Sequence, residues 1–205
     1  MDKSERTKAT ILDAAIVAFA DLGYHKASTA DISKRAGIAK GSIFYHYPTK
    51  KDLYLACVSH GSDLMIQELF ANEAIMAIPD IFDKIIAFGR AKSVFLLANP
   101  SIFKVITEAF ALSREPGFED IARLMQSGRL EVWPYWSEHV DTTCFKPGFD
   151  PKEIMEYIYL SMGTLTEKLA AHYDADKPPS QAEMEQTFEQ LERYIGFMKH
   201  GVYSS

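Results

Sequence analysis

The residues best suited to chemistry lie in one short stretch: Lys40, Ser42, Tyr45, His46 and Lys50. Their types suit recognition better than catalysis. A lysine meets phosphate or a guanine edge, a hydroxyl donates and accepts, and an aromatic ring packs on a thymine methyl or a sugar. Lys40, Ser42, Tyr45 and His46 are expected on the outward side of a short helix, with Phe44 at its edge. Elsewhere, Ser59-His60-Gly61-Ser62-Asp63 contains the residue types of a catalytic triad. Adjacent positions on a helix point in different directions, so the run forms no triad. The sequence has no P-loop, dinucleotide fingerprint or nucleophile elbow, and it reads as a non-enzyme. Cys57 and Cys144 lie far apart without metal-ligand spacing and read as reduced thiols; His139 and His172 read as ordinary polar residues. No metal or cofactor is expected.

The recognition residues need elements to hold them, and residues 28–47 supply these. A first helix carries Ile11, Leu12, Ala15, Phe19 and Leu22 at helical spacing and ends at Gly23. Ser28 opens a second helix, with Asp31 three residues on as a capping-box partner. Ile32 and Ala36 point inward, Gly37 makes the sharp turn, and Ile38 plugs it. A third helix starts near Lys40 and stops before Pro48, with Ile43 and Tyr47 inward. Thr49 and Asp52 repeat the capping box at the fourth helix. Lys50 in that helix's first turn opposes the dipole, an arrangement that makes sense if a phosphate arrives. Two short helices joined by a tight turn are a helix-turn-helix, whose second helix enters a DNA major groove.

From about Arg6 to Leu53 the chain resembles the TetR family of bacterial transcription regulators. The resemblance rests on Ile11-Leu12-Asp13-Ala14-Ala15, Phe19, Gly23-Tyr24, Ser28-Thr29, Ile32, Ala36-Gly37-Ile38, Lys40-Gly41-Ser42, His46-Tyr47 and Lys50-Lys51-Asp52-Leu53. It implies an all-α, nine-helix architecture, a homodimer and a ligand cavity among the central helices. It also implies DNA contacts from Ser28, Thr29, Ser42, Tyr45, His46 and Lys50, with Lys50 as the phosphate-binding lysine; Lys40, Gly41 and Phe44 complete the candidate DNA-binding set. Two positions depart from the family pattern. Phe44 stands where a tyrosine is usual, which removes a phenolic donor, and Tyr47 stands where phenylalanine is usual.

Charge divides the chain in the same way. Residues 1–52 hold nine Lys/Arg and six Asp/Glu, a net of +3, which leaves −9 for the rest of a chain whose total is −6. A basic head can meet phosphate while an acidic body limits promiscuous nucleic-acid binding. The expected domains are therefore a helix-turn-helix domain at 1–49 and a helical effector-binding and dimerisation domain at 50–205. The amino terminus has no signal-peptide core, and no apolar run approaches the length of a membrane span, so a cytoplasmic location is expected.

The body shows helical patterns only. Helices are expected over 50–72, from Pro79-Asp80, from Asn99-Pro100, around Ile121–Trp136 with Pro134 kinking or ending the last, from Asp150-Pro151 to about Tyr173, and from Met184 to Val202. Residues 141–149 read as a loop. The final helix repeats Met184, Phe188, Leu191, Ile195, Met198 and Val202 in steps of four and three, a coiled-coil-like seam. With Ile158, Leu165 and Leu169 of the preceding helix, Phe188, Leu191 and Ile195 are expected to pair with a second subunit as a four-helix bundle. Plain intramolecular packing of that seam is the alternative. Phe88, Phe103, Phe110, Met125, Trp133, Trp136, Tyr159 and Met162 are the candidate effector lining. Glu108, Glu131 and Glu167 could face a cationic ligand, with solvated carboxylates as the plainer reading.

These observations predict a homodimeric DNA-binding regulator of a palindromic operator, with half-sites one DNA turn of roughly 34–36 Å apart. Repression, and release by a small apolar or amphipathic molecule, follow the family's habit. The competing readings are an enzyme with an incidental helix-turn-helix, and a helical protein that sequesters a lipophilic compound or a protein partner without touching DNA.

Overall fold

A computed structural model describes residues 2–137, 140–170 and 179–203. Within its helices the side chains at 3, 127–132, 134–136, 166–167 and 169–170 lie outside the description. The expectations for Glu131, Trp136, Glu167 and Leu169, and for His139 and His172, therefore fall outside the described residues.

The described elements are α1 (Lys3–Lys26), α2 (Thr29–Ala36), α3 (Lys40–His46), α4 (Lys50–Phe70), α5 (Glu73–Met76), α6 (Ile81–Ala98), α7 (Pro100–Leu112), α8 (Glu119–Ser137), α9 (Pro151–Ala170) and α10 (Gln181–Val202). A single 3-10 turn, Thr142–Cys144, lies between α8 and α9. No strand occurs among the described residues, only an isolated bridge between Phe145 and Tyr203. The chain is all-α as expected, with ten described helices in place of nine. The addition is α5, one turn long and capped by Asn72, whose Oδ1 accepts the Ile75 amide at 3.3 Å. Four residues are too few to leave a periodic trace. Helix α8 extends through Pro134 to Ser137.

The chain forms two compact units. The first comprises Met1–Met65 with Leu96–Leu124, the second Ile66–Phe95 with Met125–Ser205. Packing thus does not divide the chain at Lys50. Forty-nine residues bury too little surface to make a robust core alone, and here α4 and α7 complete it. In the first unit Ile11, Ala15 and Phe19 of α1 are buried, as are Ile32, Ile43, Leu53, Tyr54, Val105 and Ala109. Gly61 on α4 lets α7 approach closely: a Cβ there would stand 3.0 Å from Ile102 Cγ2.

The second unit has its own core. Ile81, Phe82 and Ile85 of α6 meet Ile154, Met155, Ile158 and Leu165 of α9, Phe188, Leu191 and Ile195 of α10, and Phe145. Lys146 N–H donates to the Val202 carbonyl at 2.8 Å, which ties the 141–149 segment to the end of α10. Arg90 lies over the Phe188 ring and forms a fork with Glu185, while Lys199 pairs with Asp80 and Asp83. No single described helix is long and apolar enough to cross a membrane.

Candidate nucleic-acid interface

The interface begins at the entry to α2. Ser28 Oγ accepts the Asp31 amide at 3.1 Å and donates to the Asp31 carboxylate, so one of the helix's orphan amides is satisfied. Gly37 ends α2 at φ 65° and ψ 28°, the left-handed region. The Ile38 amide then donates to Ser33 O and the Gly37 amide to Lys34 O, the paired bonds of a Schellman motif. That turn sets the angle at which α3 leaves α2.

On α3, Ile43 is fully buried and pins the helix to the first unit's core. Tyr47 is half-buried just beyond, and burial pushes its phenol above the usual range. The opposite face is open. Lys40 and Gly41 are exposed, Ser42 and His46 half-buried, and Tyr45 is 83% exposed. Phe44 is exposed beneath the Lys40 ammonium, 5.8 Å from ring centroid to Nζ. The structure therefore gathers Lys40, Gly41, Ser42, Phe44, Tyr45 and His46 on one short helix, with Ser28 and Thr29 half-buried at the start of α2. Such a ridge of cation, hydroxyl and rings can contact phosphate and base edges.

Lys50 does something else. Its Nζ donates to the carbonyls of Tyr24 at 2.7 Å, Ala27 at 3.1 Å and His25 at 3.2 Å, and stands 4.6 Å from the Tyr24 ring centroid. An ammonium has three donors, and all three serve the carboxyl end of α1. The cation that looked misplaced at the amino end of α4 is well placed against the negative end of α1. In this structure the α1 carbonyls account for the placement of Lys50 without a phosphate. Lys51 is also engaged, with Asp120 at 2.6 Å and the Gly117 carbonyl at 2.8 Å. Thr49 and Asp52 do form the expected reciprocal box: Thr49 N–H donates to Asp52 Oδ2 at 2.9 Å and Asp52 N–H to Thr49 Oγ1 at 3.0 Å.

Glu108 is neither a ligand partner nor a solvated carboxylate. Its Oε1 accepts the Tyr24 amide at 2.7 Å and its Oε2 accepts from Tyr54 OH at 3.1 Å. Burial, with Glu108 beside it, pushes the Tyr54 phenol far above its ordinary value, and burial does the same for the Cys57 thiol. Neither group ionises at physiological pH, so Cys57 is an inert core residue.

The described candidate effector residues are drawn from both units. Phe103 and Phe110 belong to the first unit; Phe88, Met125, Trp133, Tyr159 and Met162 belong to the second. Trp133 and Tyr159 do meet, with centroids 4.9 Å apart, and Trp133 and Met162 both flank the second core. Phe88 packs on Phe70. The proposed dimer seam is corrected more sharply. Ile158, Leu165, Phe188, Leu191 and Ile195 are buried in the subunit's own core, so they present little surface to a second copy. Hydrophobic spacing cannot distinguish an internal seam from an external one. Among the described residues, the large apolar side chains that α9 and α10 expose are Tyr157 (52%), Leu160 (59%) and Phe197 (69%).

Residues 11–57 match the model of the bacterial regulatory proteins of the tetR family. The fatty acid metabolism regulator protein of Bacillus subtilis is 36% identical over 98 residues, 48% of this chain and 49% of that protein. The biofilm operon regulator IcaR of Staphylococcus epidermidis is 37% identical over 65 residues, 32% of this chain and 35% of that protein. The matches span at most about half the length of these curated relatives. Among solved structures, a TetR-family regulator from Mesorhizobium loti superposes with a TM-score of 0.69 at 16% identity, covering 96% of this chain and 98% of that one. FadR of Bacillus subtilis, solved in complex with stearoyl-CoA, gives 0.59 at 18% identity, covering 89% and 96%. At such identities the superpositions establish the fold, and the matched segment establishes kinship. Residues 11–57 thus carry the amino-terminal helix-turn-helix of the bacterial regulatory proteins of the tetR family.

Proposed function

We propose that this protein is a homodimeric transcriptional regulator that binds a palindromic operator and is released from it by a small amphipathic molecule. The carrying observation is the exposed ridge of α3, with Lys40, Ser42, Tyr45 and His46 outward and Ile43 buried beneath. One such helix reads only a few base pairs, so a second copy is needed for an operator-length site. Tyr157, Leu160 and Phe197 offer the apolar surface through which α9 and α10 would pair with their copies. The test is selection from random-sequence DNA duplexes by the full-length protein. The expected outcome is an enriched inverted repeat with half-sites about one DNA turn, roughly 34–36 Å, apart. Failure to enrich any sequence would overturn the reading.

The effector side rests on Trp133, Tyr159 and Met162 beside the second core, and on kinship with a fatty-acid regulator. An amphipathic acyl compound is the class these suggest. It can shift the protein off DNA only by binding the DNA-free conformation more tightly. Stearoyl-CoA is the probe: it is expected to release the selected duplex and change the fluorescence of the protein's two tryptophans. Tyr159→Ala is expected to weaken that response and leave duplex affinity intact.

A further inference from the structure

We propose that Glu108, on α7, is a positioning residue for DNA binding. It fixes the carboxyl end of α1 against α4 and so holds the helix-turn-helix ready for a duplex. The inference rests on the DNA-binding reading above and adds a residue outside the reading head to it.

One carboxylate divides its oxygens between two helices. Oε1 takes the backbone amide of Tyr24 on α1, and Oε2 takes the phenol of Tyr54 on α4. Tyr54 is fully buried, and its single phenolic proton is shared with the Val105 carbonyl at 3.2 Å. The phenol remains a donor at all physiological pH, because burial and the neighbouring carboxylate oppose its ionisation. Two hydrogen bonds to one carboxyl group thus set the spacing of α1 and α4.

Gly23 makes the junction possible. At φ 73° and ψ 163° it adopts a conformation that only glycine enters readily, and this frees the Tyr24 amide from the helical ladder. It also leaves room: a Cβ at 23 would stand 3.0 Å from Glu108 Oε1. Lys50 closes the same junction through the Tyr24, His25 and Ala27 carbonyls. The Tyr24 ring packs edge-on against Tyr54 at 5.0 Å and Phe118 at 5.2 Å. Helix α1 carries this register into the helix-turn-helix through Ile11 and Phe19, buried with Ile32 and Ile43. Both Glu108 oxygens are engaged within the first unit, by the Tyr24 amide and the Tyr54 phenol, so Glu108 acts through position.

The test measures affinity for the selected duplex at 20 °C, with each variant shown to be folded. Glu108→Gln is expected to weaken binding ~10-fold, as a drop of the competent fraction to about one tenth requires. The salt slope should stay at the wild-type value, because no phosphate contact is lost. Hydrogen exchange at the Tyr24 amide should accelerate. Tyr54→Phe should weaken binding less, and the double variant no more than Glu108→Gln alone, because the two residues act as one unit. If Glu108→Gln does not fold, Tyr54→Phe carries the test. Unchanged affinity with a lowered melting temperature assigns Glu108 a merely structural role and overturns the proposal; so does an altered salt slope. A wild-type protein that binds no selected duplex overturns the underlying DNA reading, and that failure is distinct from one confined to Glu108.

Discussion

Two lysines ten positions apart illustrate how much a residue's job depends on its surroundings. Lys40 stands exposed over Phe44; Lys50 is tied to three carbonyls at the end of α1. Charge and sequence position suggested the same role for both. Only the fold reveals the difference, because the carbonyls that hold Lys50 come from residues more than twenty positions earlier. Lys50→Met is expected to cost about 2 kcal/mol of stability, the scale of hydrogen bonds to a charged group, in chemical denaturation. Lys40→Ala should stay within about 0.5 kcal/mol of wild type, as exposed substitutions do. Tyr45→Ala should also leave stability unchanged. It should alter preference between selected and mismatched duplexes, which competition binding would detect. Gly37→Ala meets nothing within 4 Å, so its expected cost of about 1–2 kcal/mol is purely that of a left-handed alanine.

Helix boundaries were the most legible feature of the sequence, because caps and turn glycines are local. Ser28, Gly37 and the Thr49–Asp52 box stand where their types require. Removing one cap, as in Thr49→Ala, should cost about 1 kcal/mol. Asp80 plays the equivalent part for α6, accepting the amides of Phe82 at 2.8 Å and Asp83 at 3.0 Å while facing Lys199 at 3.2 Å. Burial raises its carboxyl, but the Asp83 amide and Lys199 outweigh burial and hold it below the usual range. A carboxyl depressed in the folded state contributes stability that is complete above its ordinary value of about 3.9 and is lost as pH falls through the folded one. Acid denaturation below about pH 4 should therefore be less steep in Lys199→Met than in wild type. Helix α5 and the direction faced by the α10 seam were not legible. The first is too short for a period, and the second depends on which neighbour arrives.

At the scale of the molecule, the all-helical class and the basic head followed from periodicity and charge. The division into units did not, since α7 joins the first unit from more than sixty residues downstream of the turn. The dimer prediction also belongs here. Leu160→Glu with Phe197→Glu should yield a monomer by sedimentation with its melting temperature little changed, because both side chains are exposed in the subunit. The central claim is that the α3 ridge meets phosphate and bases. Its most direct test is affinity for one selected duplex across a salt series, for wild type and Lys40→Ala. Log affinity should fall linearly and steeply with log salt in the wild type, and the slope should shrink by about 1 in the variant for each lysine–phosphate contact removed. A shallow wild-type slope, or an identical slope in Lys40→Ala, would contradict the account.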